Sequence, residues 1–235
     1  MKQDIRQYKG PLNASEVASG MNAARRNASR LAKDARLLLN SQSYASAIAM
    51  AILSIEESGK NRILRSLALA RNECELKECW REYRSHTKKN MLWPILDSFS
   101  KGARRAAEFA PLLDPGADHP YVLDKLKQIS LYTDCFRRGH WSVPTDVVTE
   151  ELANGLLQIA ETFCNEREVT TVEIDLWMFY LGPCWKVSTP LMEEALFEWD
   201  KEMRRRGLHH DKGDSTIETF FREGLHPKAR ATPKL

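Results

Sequence analysis

The spacing of apolar residues is that of helices along almost the whole chain. From residue 13 to about 40, Leu31, Ala35 and Leu38 recur at steps of four and three, and Asn13 with Glu16 has capping-box spacing. Ser43 stands where it can cap a second helix running to about residue 71, with Ile48, Ile52, Ile55, Gly59 and Ile63 on one stripe. A third helix is predicted from about residue 75, with Leu76, Cys79, Trp80 and Tyr83 on one side, running on to about Asn90. Pro94 then kinks or restarts the path into a helix ending near Pro111. Residues 114–119 read as a turn, and Pro120 opens a helix that ends before Arg138-Gly139. Another runs from Pro144 to about Asn165, with Val148, Leu152, Leu156, Ile159 and Phe163 on one face. Thr170 and Glu173 repeat the capping-box spacing, Gly182-Pro183 ends that short helix, and Thr189-Pro190 starts the last clear one, through Met192, Leu196, Trp199 and Met203 to Gly207. A short amphipathic piece at 217–221 precedes a basic end.

No stretch alternates like a strand, Gly-rich hairpin signals are missing, and there is no internal repeat. The pattern therefore predicts an all-α protein: a helical bundle over 13–111, a helical elaboration packed on it over 112–207, and a polar, partly disordered tail over 208–235. The short linker Asn40-Ser41-Gln42 makes the first two long helices antiparallel neighbours.

Composition narrows the functional classes. The longest apolar run, 45–55, contains serines and falls short of the roughly 20 residues a membrane-spanning helix needs. The first ten residues are polar, without the apolar segment of a secretory signal, so a cytoplasmic protein is expected. Five scattered cysteines (Cys74, Cys79, Cys135, Cys164, Cys184) fit reduced, packed thiols rather than a disulfide framework or a zinc site. With no Gly-rich phosphate loop and no His-Glu-x-x-His pattern, neither cofactor nor metal is expected. Charge is segregated: residues 1–110 carry 20 Lys and Arg against 11 Asp and Glu, residues 111–200 carry 6 against 16, and the remainder 9 against 5. A basic first half suits an anionic partner such as RNA; equally, the two halves can complement each other within a monomer or across a dimer.

Two constellations could carry chemistry. On the second helix, Glu56 borders the apolar stripe while Glu57 points almost oppositely. Glu56 either pairs with Lys60 one turn on or, partly buried, orients an Arg, Lys or His from a neighbouring helix. Gly59 on the same stripe would let another helix approach closely. On the third helix, Arg81 and His86 are separated by four residues, among further cations Arg84, Lys88 and Lys89. A histidine can move protons near neutral pH and an arginine can hold a phosphate bidentately, a pair suited to metal-free RNA cleavage. On a straight helix they would lie about 140° apart, so they converge only if the helix bends or two copies build one groove. Arg137-Arg138-Gly139-His140-Trp141 reads as a basic turn or a second RNA contact, and His209-His210-Asp211 as a site of adventitious metal binding.

The segment Glu56-Glu57-Ser58-Gly59-Lys60, preceded by Tyr44-Ala45-Ser46-Ala47 and followed by Tyr83-Arg84-Ser85-His86-Thr87-Lys88, resembles the HEPN superfamily, and more narrowly the AbiV-type abortive-infection proteins of bacteria. Leu131-Tyr132-Thr133-Asp134 with Trp141 and Pro144 is similar to the later segment of that subfamily, and the resemblance spans about 22–145. It implies a dimerising helical bundle with a metal-independent ribonuclease motif, Arg-x(4–6)-His, which Arg81 and His86 fit. Glu82 stands where such nucleases often carry a small polar residue, and some HEPN members are non-catalytic binding modules. The expectation is an anti-phage protein of the cytoplasm: a homodimeric RNase or translation-blocking toxin acting on tRNA, mRNA or rRNA, subject to a phage-encoded activator. Arg81 and His86 would be catalytic, Glu56, Lys60 and Tyr83 supporting, and Arg84, Lys88 and Lys89 RNA-binding. The alternative is a non-catalytic interaction module that binds a phage or host protein.

Overall fold

The computed structural model describes residues 6–90, 119–164, 167–209 and 216–224, together with Ser98 and Glu108. Apart from Ser98 and Glu108, the helix expected to end near Pro111 lies outside the described residues, as do 114–118 of the expected turn, the tail after 224 and His210-Asp211. Ten α-helices account for most of what is described: α1 Ala14–Asn40, α2 Tyr44–Ala68, α3 Glu73–Arg84, α4 His86–Lys89, α5 His119–Leu131, α6 Pro144–Val147, α7 Glu150–Phe163, α8 Thr171–Leu181, α9 Thr189–Arg205 and α10 Ile217–Arg222. Among the described residues no helix is long and apolar enough to cross a membrane.

α1 starts where its capping box puts it: Asn13 Oδ1 accepts from the Glu16 amide at 2.9 Å, and the Glu16 carboxylate accepts from the Asn13 amide at 2.8 Å. Thr170 and Glu173 do the same for α8. α1 turns back at Gln42, whose φ is 59°, and α2 returns antiparallel along it. The buried positions of the pair are rich in alanine (Ala24, Ala28, Ala32 and Ala35 on α1; Ala47, Ala49 and Ala51 on α2), which lets the two backbones approach. α2 is the central helix. Its first half is buried on nearly every side, with Ile48, Ile52 and Ile55 in one core cluster with Leu123 of α5 and Ala153, Leu156, Leu157 and Ala160 of α7. α5 and α7, from the stretch read as elaboration, thus share one core with α1 and α2. A second cluster joins Val17 and Met21 to Leu64 and Ile174; a third, around Leu69, Leu176, Trp199 and Met203, holds α8 and α9 to the end of α2.

Three local expectations need correction. The third helix does not run through to Asn90: Ser85 is extended (φ −79°, ψ 130°), closing α3 and capping α4 with its side chain. The helix expected from Pro120 stops at Leu131, and an antiparallel hairpin follows, β1 Asp134–Phe136 paired with β2 His140–Ser142. Left-handed Arg138 (φ 61°) and Gly139 (φ 81°) make its turn. Strands of three residues, exposed at all but one position, leave no alternation to read. The helix expected over 144–165 is broken at Val148 and Thr149, because the Thr149 hydroxyl caps α7 by accepting from the Leu152 amide at 3.2 Å.

Candidate functional site

The break at Ser85 brings the third-helix motif onto α2. α4 crosses α2 at Gly59, where any side chain would collide with the Lys89 carbonyl oxygen, so the close approach foreseen for Gly59 is realised against α4. That approach sets His86 over Glu56. The His86 Nδ1 lies 2.7 Å from Glu56 Oε2, and the carboxylate beneath is 2% exposed while the imidazole is 59% exposed. Glu56 thus takes the second of its two readings, orienting a residue of a neighbouring helix.

A buried carboxylate needs cations, and here they come from two elements. Lys127 of α5 donates to Glu56 Oε1 at 2.5 Å and also meets Asp124 at 3.1 Å. Lys89 is buried with its Nζ 3.8 Å from Glu56 Oε2. Burial pulls the Lys89 ammonium below its ordinary range, and the neighbouring Glu56 opposes that. Next to it Asn90 is wholly buried, and neither of its side-chain amide atoms meets a hydrogen-bond partner among the described residues.

The chemical consequence concerns the tautomer of His86. A carboxylate at Nδ1 makes that nitrogen the donor, which leaves Nε2 of the neutral ring as an acceptor on the exposed side. This is the way a carboxylate orients the imidazole in hydrolase triads.

The other expected site residues sit around this centre rather than in it. Arg81, on the last turn of α3, is 77% exposed and reaches Glu78 at 3.3 Å. Lys60 pairs with Glu57 and not with Glu56, and lies 5.1 Å from the centroid of the Tyr83 ring. Tyr83 packs edge-on to Trp80. Arg84 is committed to structure: it donates to the carbonyls of Trp80 (3.2 Å) and Tyr8 (2.5 Å), fastening the N-terminal arm across α3. Lys88 is half-buried, and its carbonyl accepts from Arg62, whose guanidinium lies 3.5 Å from Glu82. The unusual Glu82 is therefore partnered by α2 and not by Arg81. Arg138, His140 and Trp141 are exposed on the hairpin, and His209 is tied to Asp200 at 2.9 Å. Among the described residues, no group of three or more His, Cys, Asp or Glu is placed to hold a metal ion.

Lys127 and Asp124 were missed from the sequence. The signal was a lysine one turn after core Leu123, with Ser130 following on the same apolar face.

A family comparison bears directly on this arrangement: the sequence model of the HEPN-type AbiV family matches residues 16–165. The chain belongs to the AbiV family of HEPN proteins. No curated protein and no solved structure matches it. The matched range runs from the first turn of α1 to just past α7 and so contains every member of the Glu56 cluster, whereas α8, α9 and α10 lie beyond it. Membership of AbiV places the chain among abortive-infection proteins, with a role in defence.

Proposed function

We propose that this AbiV protein is a metal-independent endoribonuclease that acts as a toxin when infection releases it. The observation that carries the reading is the exposed imidazole of His86, fixed at Nδ1 by a buried carboxylate that Lys127 in turn fixes. In this mechanism His86 Nε2 takes the proton of an RNA 2′-hydroxyl, and the 2′-oxygen attacks the adjacent phosphorus. The bond to the 5′-oxygen breaks, that oxygen leaves with the proton returned by the imidazolium, and a 2′,3′-cyclic phosphate remains. Arg81 supplies a planar guanidinium for the charge building on the phosphorane oxygens. Arg81 points to solvent, across the Ser85 break from His86, and a homodimer whose two α3–α4 corners face one groove would bring both residues to one phosphate. Lys88 is the cation best placed to hold the RNA strand; Arg84 and Lys89 are engaged within the fold.

The test is cleavage by the purified protein in EDTA, with product ends identified. Cutting should persist and leave 2′,3′-cyclic phosphate and 5′-hydroxyl ends, and His86→Ala should lose about 10²- to 10⁴-fold in rate. Cleavage that EDTA abolishes, or that leaves 5′-phosphates, overturns the mechanism. Toxicity in cells that survives His86→Ala without RNA damage replaces it with the interaction-module reading.

A further inference from the structure

Asn61 and Arg65 lie on the side of α2 turned away from Glu56 and line a cleft of about 170 Å³ between α1, α2 and the connection from α7 to α8. Ser58, Arg25, Cys164 and Arg167 also line it. Arg25 reaches Glu168 at 3.4 Å, and Arg167 is paired with buried Glu173. Arg65 is different. Its guanidinium lies over two indole faces, 4.9 Å from the centroid of Trp177 and 5.3 Å from that of Trp199, with no carboxylate partner among the described residues. Burial pulls it down to about 10. Beside it the buried Asn61 Oδ1 meets no donor among the described residues.

We infer that this cleft binds one phosphate group, held by the guanidinium of Arg65 with help from Arg25 and Arg167. Guanidinium forks match the oxygen spacing of phosphate, and the Ser58 hydroxyl can donate a further hydrogen bond. A phosphate that keeps one proton also carries a P–OH donor, which the empty Asn61 Oδ1 accepts; sulfate at neutral pH has no such proton. The volume is below the 300–1,000 Å³ typical of sites for drug-sized ligands, so the cleft takes inorganic phosphate or the phosphoryl end of a larger molecule, not a whole nucleotide. Arg167 and the two tryptophans lie beyond the family-matched range, so the anion would join the C-terminal helices to the central helix of the bundle.

Calorimetry and thermal unfolding of the full chain, at constant ionic strength, test this with inorganic phosphate, AMP and sulfate as probes. Phosphate should bind saturably and raise Tm by about 5–10 °C at a hundredfold excess over its Kd. Binding of AMP at least as tight as that of phosphate identifies a phosphoryl end as the ligand; markedly weaker AMP binding identifies the free ion. Arg65→Met keeps an apolar stem between the indoles and should abolish the shift. Ser58→Ala, the milder change, should weaken phosphate binding about tenfold. No saturable binding at tens of millimolar phosphate overturns the site. So does an equal shift with sulfate, or an unchanged shift in Ser58→Ala where Arg65→Met fails to fold. None of these readouts depends on RNA cleavage.

Discussion

Glu56 and Arg65 sit nine residues apart on α2, two and a half turns, and therefore on opposite sides of the same helix. Glu56 is buried and Arg65 half-buried, and the fold treats the two charges differently. Glu56 is answered from three directions, by His86, Lys127 and Lys89. Among the described residues Arg65 is answered by the faces of two indoles and by no carboxylate, beside an open cleft. The comparison shows what a buried charge can be for. Where partners are complete, the charge fixes a geometry, here the orientation of His86; where they are incomplete, it leaves affinity for something not yet bound.

The sharpest way to break the first half of that comparison is to neutralise Glu56. Removing one member of a buried ion pair strands the other, so Glu56→Gln should destabilise the protein by about 3–5 kcal/mol as well as abolish activity. Glu56→Ala should therefore lower stability and function together, because the carboxylate has two jobs. The double variant Glu56→Gln/Lys127→Met separates them. With both charges gone, stability measured in urea should return in part, since Lys89 and Asp124 still lack the partners they had, while RNA cleavage stays low because nothing acidic holds His86 Nδ1. The ¹⁵N shifts of His86 should show the same thing without any substrate: Nδ1–H predominates in the wild type and loses that preference in the double variant. Recovery of wild-type cleavage in the double variant would mean that Glu56 is only structural.

The next effect concerns the crossing that brings α4 to α2. Gly59→Ala drives a methyl group into the Lys89 carbonyl, which is backbone and cannot swing aside. We expect a loss of about 1–3 kcal/mol and a fall in cleavage, since any shift of α4 moves His86. Gly155, on the exposed side of α7, has nothing within 4 Å of an added methyl, so Gly155→Ala should stabilise by about 0.5–1 kcal/mol with activity unchanged. Equal effects at the two glycines in equilibrium unfolding would refute the close crossing.

Much of this was legible in the sequence because it rests on local signals. The two capping boxes placed α1 and α8, the four-three spacing of isoleucines marked α2, and Gly59 on that stripe announced a close neighbour. What escaped was set by tertiary contact or by a polar residue acting within an apolar run. Ser85 breaks a helix that its neighbours would have continued, and that break brings His86 down onto Glu56. Lys127 went unread, since only the packing of α5 on α2 shows that it points inward. The cleft at Arg65 draws on three segments, 21–28, 58–65 and 163–169, the last of them almost a hundred positions from the second, beyond the reach of any periodicity.

The smallest effect comes from a third charged site near α2, this one an ion pair at the surface. Arg71, just past the end of the helix, donates to Glu75 at 2.7 Å through its guanidinium and at 3.0 Å through its backbone amide, fastening the corner into α3. Those hydrogen bonds, first from the side chain and then from the backbone, hold the Glu75 carboxyl down to about 2 from an ordinary 4.5. A carboxyl whose pKa is lower in the folded state contributes stability that is present in full above the unfolded value and fades as pH falls through the folded one. Wild type should therefore lose this contribution between about pH 4.5 and pH 2. Glu75→Gln keeps an acceptor but not the charge, so it should be less stable at neutral pH by about 0.5 kcal/mol, in the range of solvent-screened pairs. The two proteins should converge as the pH approaches 2, a comparison that urea unfolding at stepped pH can make. A gap that stays constant down to that pH would show that the charge of Glu75 contributes nothing, and that the corner is held by its hydrogen bonds alone.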